Sequence, residues 1–264
     1  MRRFLLCVAS LGALLALARA EVPALLGEAL KKTGEDEGNW AYTETSREID
    51  QKGRSGGETI VRFDPSKPYA EQFTPLKIEG KPPTARQRKE YRKRGEKRGV
   101  ELERAAMDAQ AAGASENAEI ALGGEGVVPE LEKAKIVSDE GAVVSYEIPL
   151  RKTGRSGPPV EKFQLVIRVN KERHDLEAAT VRLLAPVRVM LVAKVTSGEL
   201  KAEFAVVDPN FPPVMTSFGG NLAGSLFFVK SGATFAENRT DFVRVKPYGD
   251  RFQVKVGPLK ALPF

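Results

Sequence analysis

The stretch FQLVIRVNKERHDLEAATVRL, residues 163–183, decides which class of fold this chain can adopt. Its first half alternates, with Phe163 and Leu165 on one side of an extended chain and Gln164 on the other. Residues 170–175 form a charged turn, and a second β-type segment completes the stretch. Two such segments joined by a short polar turn predict an antiparallel hairpin with one packed face and one wetted face.

The same β-type pattern recurs along most of the chain. In residues 199–206, Leu200 and Phe204 alternate with charged residues, and Ser197-Gly198 just before them is predicted to be a hairpin turn. These segments, about twelve in number and without a fixed repeat, predict a mostly β protein of the α+β class with one large antiparallel sheet. The predicted strands are residues 40–49, 58–63, 71–78, 134–137, 143–148, 163–169, 176–183, 187–195, 200–206, 226–229, 242–245 and 252–256.

A short helix is predicted before the first strand. Leu26 and Leu30 recur at helical spacing within residues 22–33, and Gly34 marks the predicted end of the helix. The acidic residues 34–38 lack the regular ligand spacing of a calcium loop. We therefore interpret them as a solvated linker.

A long helix is predicted after the third strand. Residues 84–112 are rich in strong helix formers, and Thr84 is a suitable N-cap. Residues 113–126, rich in Ala, Gly, Ser and Glu, are typical of a flexible linker.

The inserted helix carries a concentration of positive charge. Residues 86–98 contain eight basic and two acidic residues. This pattern fits either a solvated helix face or a surface that contacts an envelope protein or an anionic membrane through Arg92, Lys93 and Arg94. Nucleic acid is not expected as a partner, because aromatic residues for base stacking are limited to Tyr91 in this segment.

Residues 209–235 form the most apolar stretch outside the N-terminal region. Glycines are interspersed among the large apolar groups, and Lys230 is the only charge. We interpret the stretch as a loop that is either covered by the fold or itself covers something apolar.

Residues 1–20 have the pattern of a secretory signal peptide. A basic start precedes an apolar run of about 15 residues, whereas a helix needs about 20 to cross a bilayer. Ala18 and Ala20 occupy the two positions that signal peptidase reads, so cleavage is predicted between Ala20 and Glu21. The mature chain, residues 21–264, is then a single β-rich domain in the periplasm or secreted.

Composition narrows the chemistry that the chain can perform. The only cysteine, Cys7, leaves with the predicted signal peptide, and His174 is the only histidine. This excludes disulfides and cysteine-ligated metal in the mature protein and makes zinc improbable, so no cofactor and no metal are expected. A serine triad through His174, or a facing pair of carboxylates, stays open as an alternative without a motif to support it.

The layout of the chain resembles a known family. Trp40 opens the first strand, Phe63-Asp64-Pro65-Ser66 closes the second, and an inserted helix precedes a continuous antiparallel meander. This order is similar to that of the periplasmic outer-membrane lipoprotein carriers and their uncharacterised exported relatives, the LolA-like superfamily. The resemblance implies an unclosed half-barrel with helices on its concave side and an apolar cavity for acyl chains.

The leading hypothesis is a non-catalytic periplasmic binding or carrier protein whose concave sheet holds an apolar ligand, either a lipid or a lipoprotein acyl chain. The alternative is a structural or assembly module of the envelope that binds a protein through the basic helix. The sequence leaves the ligand and the oligomeric state open. The candidate lining residues, chosen by size and strand position, are Trp40, Phe63, Phe163, Phe204, Met215, Phe218 and Phe227.

Overall fold

The computed structural model describes most of the predicted mature chain. The described residues are 22–50, 52–111, 127–152, 159–190, 193–226 and 229–249. The predicted signal peptide, the linker at 113–126, the strand at 252–256 and Phe227 lie outside them.

The described residues form two α-helices and thirteen strands, and four short 3-10 turns connect some of them. Helix α1 is Ala24–Asp36 and helix α2 is Ala85–Ala111. The prediction of a mostly β protein with a short first helix and a long helix after the third strand is confirmed. In chain order, strands β1 to β13 are Trp40–Asp50, Thr59–Phe63, Phe73–Lys77, Val127–Pro129, Lys135–Glu140, Val143–Ile148, Leu150–Lys152, Phe163–Asn170, Asp175–Leu183, Val187–Met190, Ala193–Ala205, Val214–Leu226 and Val229–Arg244.

Eleven of these strands form one curved, open antiparallel sheet. The order is β3-β2-β1-β13-β12-β11-β9-β8-β6-β5, with β10 also paired to β11, and β4 and β7 form a separate pair. β1 therefore lies beside β13, which brings the two ends of the described chain together. The sheet is unclosed, because β3 and β5 end the order without pairing with each other.

Helix α1 forms the main core with one half of this sheet. Its residues Leu26, Ala29 and Leu30 are buried against β6, β8 and β9. The alternation predicted for residues 163–169 is confirmed, since Leu165 and Ile167 lie in this core. No helix among the described residues is both long enough and apolar enough to cross a bilayer.

The predicted single strand at residues 187–195 is wrong. The chain reverses between Met190 and Ala193, and Val187 pairs with Val195 across the resulting β10–β11 hairpin. The predicted turn at Ser197-Gly198 is also wrong, because both residues lie inside β11.

The predicted loop at residues 209–235 is likewise wrong beyond its first few residues. β12 and β13 form a long hairpin there, and the two ends of the predicted strand at 226–229 lie on different strands, with Leu226 paired to Val229. Glycine in this stretch allows neighbouring strands to approach closely and does not mark a loop. A Cβ on Gly220 would lie 2.2 Å from the Glu199 carbonyl oxygen of β11.

The predicted solvated linker after Gly34 is wrong as well, because α1 continues to Asp36. Asp36 is only 6 % exposed. Trp40 donates its Nε1–H to Asp36 Oδ2 at 2.6 Å, and Arg244 Nη1 donates to the two carboxylate oxygens at 2.5 and 2.8 Å. Arg244, which lies at the end of β13 and is distant in sequence, therefore fixes the position of the Asp36 carboxylate.

The replacement Asp36→Ala should lower the free energy of unfolding by about 2 to 3 kcal/mol, because it leaves the Trp40 N–H and the Arg244 guanidinium without their shared acceptor. Urea unfolding of the purified protein measures this loss. The matched control is Glu90→Ala, which removes an exposed ion pair with Arg86 and should cost less than about 0.5 kcal/mol. Equal effects of the two replacements would contradict the role given to Asp36.

Candidate functional site

Both helices lie on one face of the sheet, which we call the inner face. Directly paired residues of neighbouring strands share a face. Ile167 and Ala179 belong to one such row and pack with α1. Thr59 lies at the other end of this row, and Phe63 is on the same face of β2. The Arg98 guanidinium of α2 lies over the Phe63 ring, 5.0 Å from the ring centroid. The row runs through Ile167, Ala179, Ala202, Phe218, Glu237, Ser46 and Thr59.

An apolar strip lies on the inner face between the two helices. α1 packs on β8 and β9, and α2 packs on β3 and the turn before it, so the inner face of β11, β12 and β13 lies between them. The rings of Phe218 and Phe235 have their centroids 5.4 Å apart, and Leu222 is 45 % exposed. We call this set the inner strip; its members are Leu200, Met215, Phe218, Leu222 and Phe235.

All six described residues of the predicted lining lie on the inner face. They lie on β1, β2, β8, β11 and β12, and the strand registers place their side chains on the same face as the row that contains Ile167 and Ala179. They are Trp40, Phe63, Phe163, Phe204, Met215 and Phe218.

These six residues do not form one exposed patch. Trp40 and Phe63 are 4 % and 5 % exposed, and Phe204 packs against the core beneath α1. Only Met215 and Phe218 belong to the inner strip.

The remaining members of the inner strip were not among the predicted lining residues. Leu200 alternates with charged residues in the sequence, but the choice by size favoured aromatic side chains. Leu222 and Phe235 fall in the apolar stretch that the sequence predicts to be a loop, and only the β12–β13 register shows that they share a face.

A polar cluster borders the inner strip on the β1 side. Arg239 Nη2 lies 2.9 Å from Glu237 Oε1 and 3.9 Å from Glu44 Oε2. The Arg239 guanidinium also lies 4.5 Å from the centroid of the Tyr42 ring. The three charged side chains are only 14 to 20 % exposed, so one arginine serves two partly buried carboxylates.

This arrangement makes Glu44 hard to ionise. Burial, together with the nearby Glu237 carboxylate, raises the pKa of Glu44 from its ordinary 4.5 to about 7, against the lowering effect of Arg239 and Arg94. Because Arg239 is shared, its attraction does not offset the loss of hydration.

The predicted contact residues of α2 divide between two environments. Arg94 lies 4.5 Å from the centroid of the Phe73 ring on β3, so it is directed toward the protein. All three side chains are exposed to solvent, but Arg92 and Lys93 have no such ring contact among the described residues.

His174 lies in the turn between β8 and β9, where the sequence placed it. Its backbone φ is 54°, and its Nδ1 contacts the Glu28 carboxylate of α1. The turn is thereby joined to α1. The part of the chain that the structure describes contains no group of three or more His, Cys, Asp or Glu side chains arranged to hold a metal ion.

A groove of about 620 Å³ lies on the outer face, across β8, β9 and β11. Its charged side chains are paired with one another: Arg168 with Glu177, Arg173 with Asp175 and Lys201 with Glu203. The groove therefore offers no unbalanced charge, and its apolar lining comes from Ala178, Phe204, Ala205, Val206, Pro209 and Phe211.

The replacement Glu44→Gln should flatten the pH dependence of stability. With a folded pKa of about 7 above the unfolded value, Glu44 favours the folded state most below pH about 4.5 and loses this contribution as pH rises through about 7. Between pH 5 and 8 the wild-type free energy of unfolding should fall, relative to the variant, by on the order of 2 kcal/mol. Urea unfolding over this pH range tests it, with Glu48→Gln on the same strand as a control that should follow the wild type. Parallel curves for wild type and Glu44→Gln would contradict the argument.

Comparison with known proteins gives one match in structure. No protein-family model matches the chain, and no curated protein matches it in sequence. The crystal structure of LolA superfamily protein NE2245 from Nitrosomonas europaea matches with a TM-score of 0.37 and 10 % identity, over 89 % of this chain and 97 % of that one. It belongs to the superfamily that the order of strands and helices resembles.

Proposed function

We propose that this protein is an exported, non-catalytic binding or carrier protein that holds an apolar ligand on the inner strip. The observation that supports this is the position of the strip: five apolar side chains share the inner face of β11, β12 and β13, between two helices that pack elsewhere. The ligand class that fits is an acyl chain, as part of a lipid or a lipoprotein.

The shape and chemistry of the inner strip favour an elongated apolar ligand. The strip crosses three neighbouring strands, which lie about 4.8 Å apart, and the polar cluster around Arg239 bounds it on the β1 side. An acyl chain that covers about 200 Å² of apolar surface gains roughly 5 kcal/mol before the costs of association. Such a gain supports reversible binding, which suits a carrier.

The inner strip offers no chemistry for catalysis. Its members carry only methyl, thioether and phenyl groups, which neither transfer protons nor act as the nucleophiles that enzymes use. We include export in the proposal because residues 1–20 have the pattern of a signal peptide, and the periplasm is the compartment that we propose.

The replacement Leu222→Gln should weaken binding of a pyrene-labelled fatty acid by about five- to tenfold, because it removes apolar contact from the most exposed member of the inner strip. Fluorescence titration of delipidated protein gives the dissociation constant. The matched control is Asn221→Gln, at the neighbouring exposed position that points to the outer face, and its affinity should stay within about twofold of the wild type.

Either of two results would contradict the proposed function. One is a wild-type protein that does not take up the probe. The other is equal weakening by the inner and outer replacements, with thermal melts showing that both variants are folded.

A further inference from the structure

The packing of α2 fixes which of its cations are directed toward the protein. Gly95 and Gly99 lie against Tyr69, where a Cβ on Gly95 would be 1.9 Å from the Tyr69 carbonyl oxygen. This close approach sets the rotation of the helix about its axis. As a result Arg94 lies over Phe73, and Arg98 donates to the Gln72 side chain at 2.8 Å.

Four other cations of α2 are exposed and have no hydrogen bond or ion pair with any residue that the structure describes. By contrast, Arg86 and Lys97 on the same helix are paired with Glu90 and Glu101. We call the four unpaired residues the basic stripe; they are Arg88, Lys89, Arg92 and Lys93.

The basic stripe costs helix stability within the protein. Its members form two like-charged pairs at i and i+4, Arg88 with Arg92 and Lys89 with Lys93, and such pairs destabilise a helix. Glu96 follows Arg92 by one helical turn, but neither Glu96 nor any other described acid forms an ion pair with a residue of the stripe. An external anionic surface would attract all four cations and thereby offset their mutual repulsion.

A lipid surface fits the stripe better than a protein does. The cores of protein interfaces are depleted of lysine and are built around buried aromatic and arginine anchors. The stripe instead contains two lysines, and its one aromatic neighbour, Tyr91, is partly buried. A layer of anionic head groups requires only positive charge at the surface and no matching shape.

We propose that the basic stripe docks this protein on membranes that contain anionic phospholipid. Arg94 is not part of the docking surface, because it is held over Phe73. The docking is independent of the inner strip, so its failure would leave the proposed apolar binding untouched.

Co-sedimentation of the mature protein with vesicles tests this proposal. The protein should bind vesicles of mixed phosphatidylcholine and phosphatidylglycerol, should bind pure phosphatidylcholine far less, and should dissociate as salt is raised. Replacing all four stripe residues by Gln should weaken binding to the mixed vesicles by several hundredfold, at about fivefold for each charge.

The control variant removes four cations that are paired on the protein surface: Arg54→Gln, Lys133→Gln, Arg182→Gln and Lys201→Gln. It has the same net charge as the stripe variant and should bind the mixed vesicles at least about tenfold more tightly. Circular dichroism checks that both variants are folded, and uptake of the pyrene-labelled fatty acid in solution should be the same for both.

Equal binding of the stripe variant and the control would overturn the proposal, as would equal binding of the wild type to neutral and anionic vesicles. Absence of vesicle binding combined with stripe-dependent retention on immobilised polyglutamate would also overturn it and would favour an acidic protein partner.

Discussion

The pairing of β1 with β13 is the constraint on which the rest of the structure depends. The register runs from Trp40 opposite Arg244 to Asp50 opposite Ala233. At its start, the buried Asp36 carboxylate binds both Trp40 and Arg244 and so joins the end of α1 to the last strand. Without this pairing the first three strands would have no strand partner in the meander that follows, because β1 is the only one of them that pairs with a later described strand.

This one junction also places the two helices on a common face. α1 packs on β8 and β9, and α2 packs on the far side of β1 against β3. The strands between them carry the inner strip and, beside it, the cluster of Glu44, Glu237 and Arg239. Apolar and charged surface are therefore neighbours on the inner face, and a ligand bound to one lies close to the other.

Local alternation made much of the sheet predictable from the sequence. Residues 143–148 and 163–169 each have a clear packed side and polar side, and the structure places Tyr146, Leu165 and Ile167 in the core as that pattern requires. The hairpin of β12 and β13 could not be predicted in the same way, because Gly219, Gly220 and Gly224 are ordinary loop signals. They function here as points of close strand contact. The burial of Asp36 cannot be predicted in this way, because its partner Arg244 is distant in sequence and no local pattern indicates that the two meet.

The candidate site was predicted only in part, for the same reason. The large aromatic residues do lie on the inner face, but burial separates them: Trp40 is covered by Phe211 and Phe242, while Phe218 belongs to the inner strip. The register of the sheet, rather than residue size, decides which side chains stay accessible.

Photo-crosslinking tests whether the inner strip holds an acyl chain. The protein is irradiated with a fatty acid that carries a diazirine near the end of its chain, and the labelled residues are identified by peptide mass spectrometry. We expect adducts on the inner strip, at Leu200, Phe218, Leu222 and Phe235, and expect unlabelled fatty acid to suppress them. Adducts concentrated in the outer groove around Arg168 and Lys201, or labelling that unlabelled fatty acid does not reduce, would contradict the account.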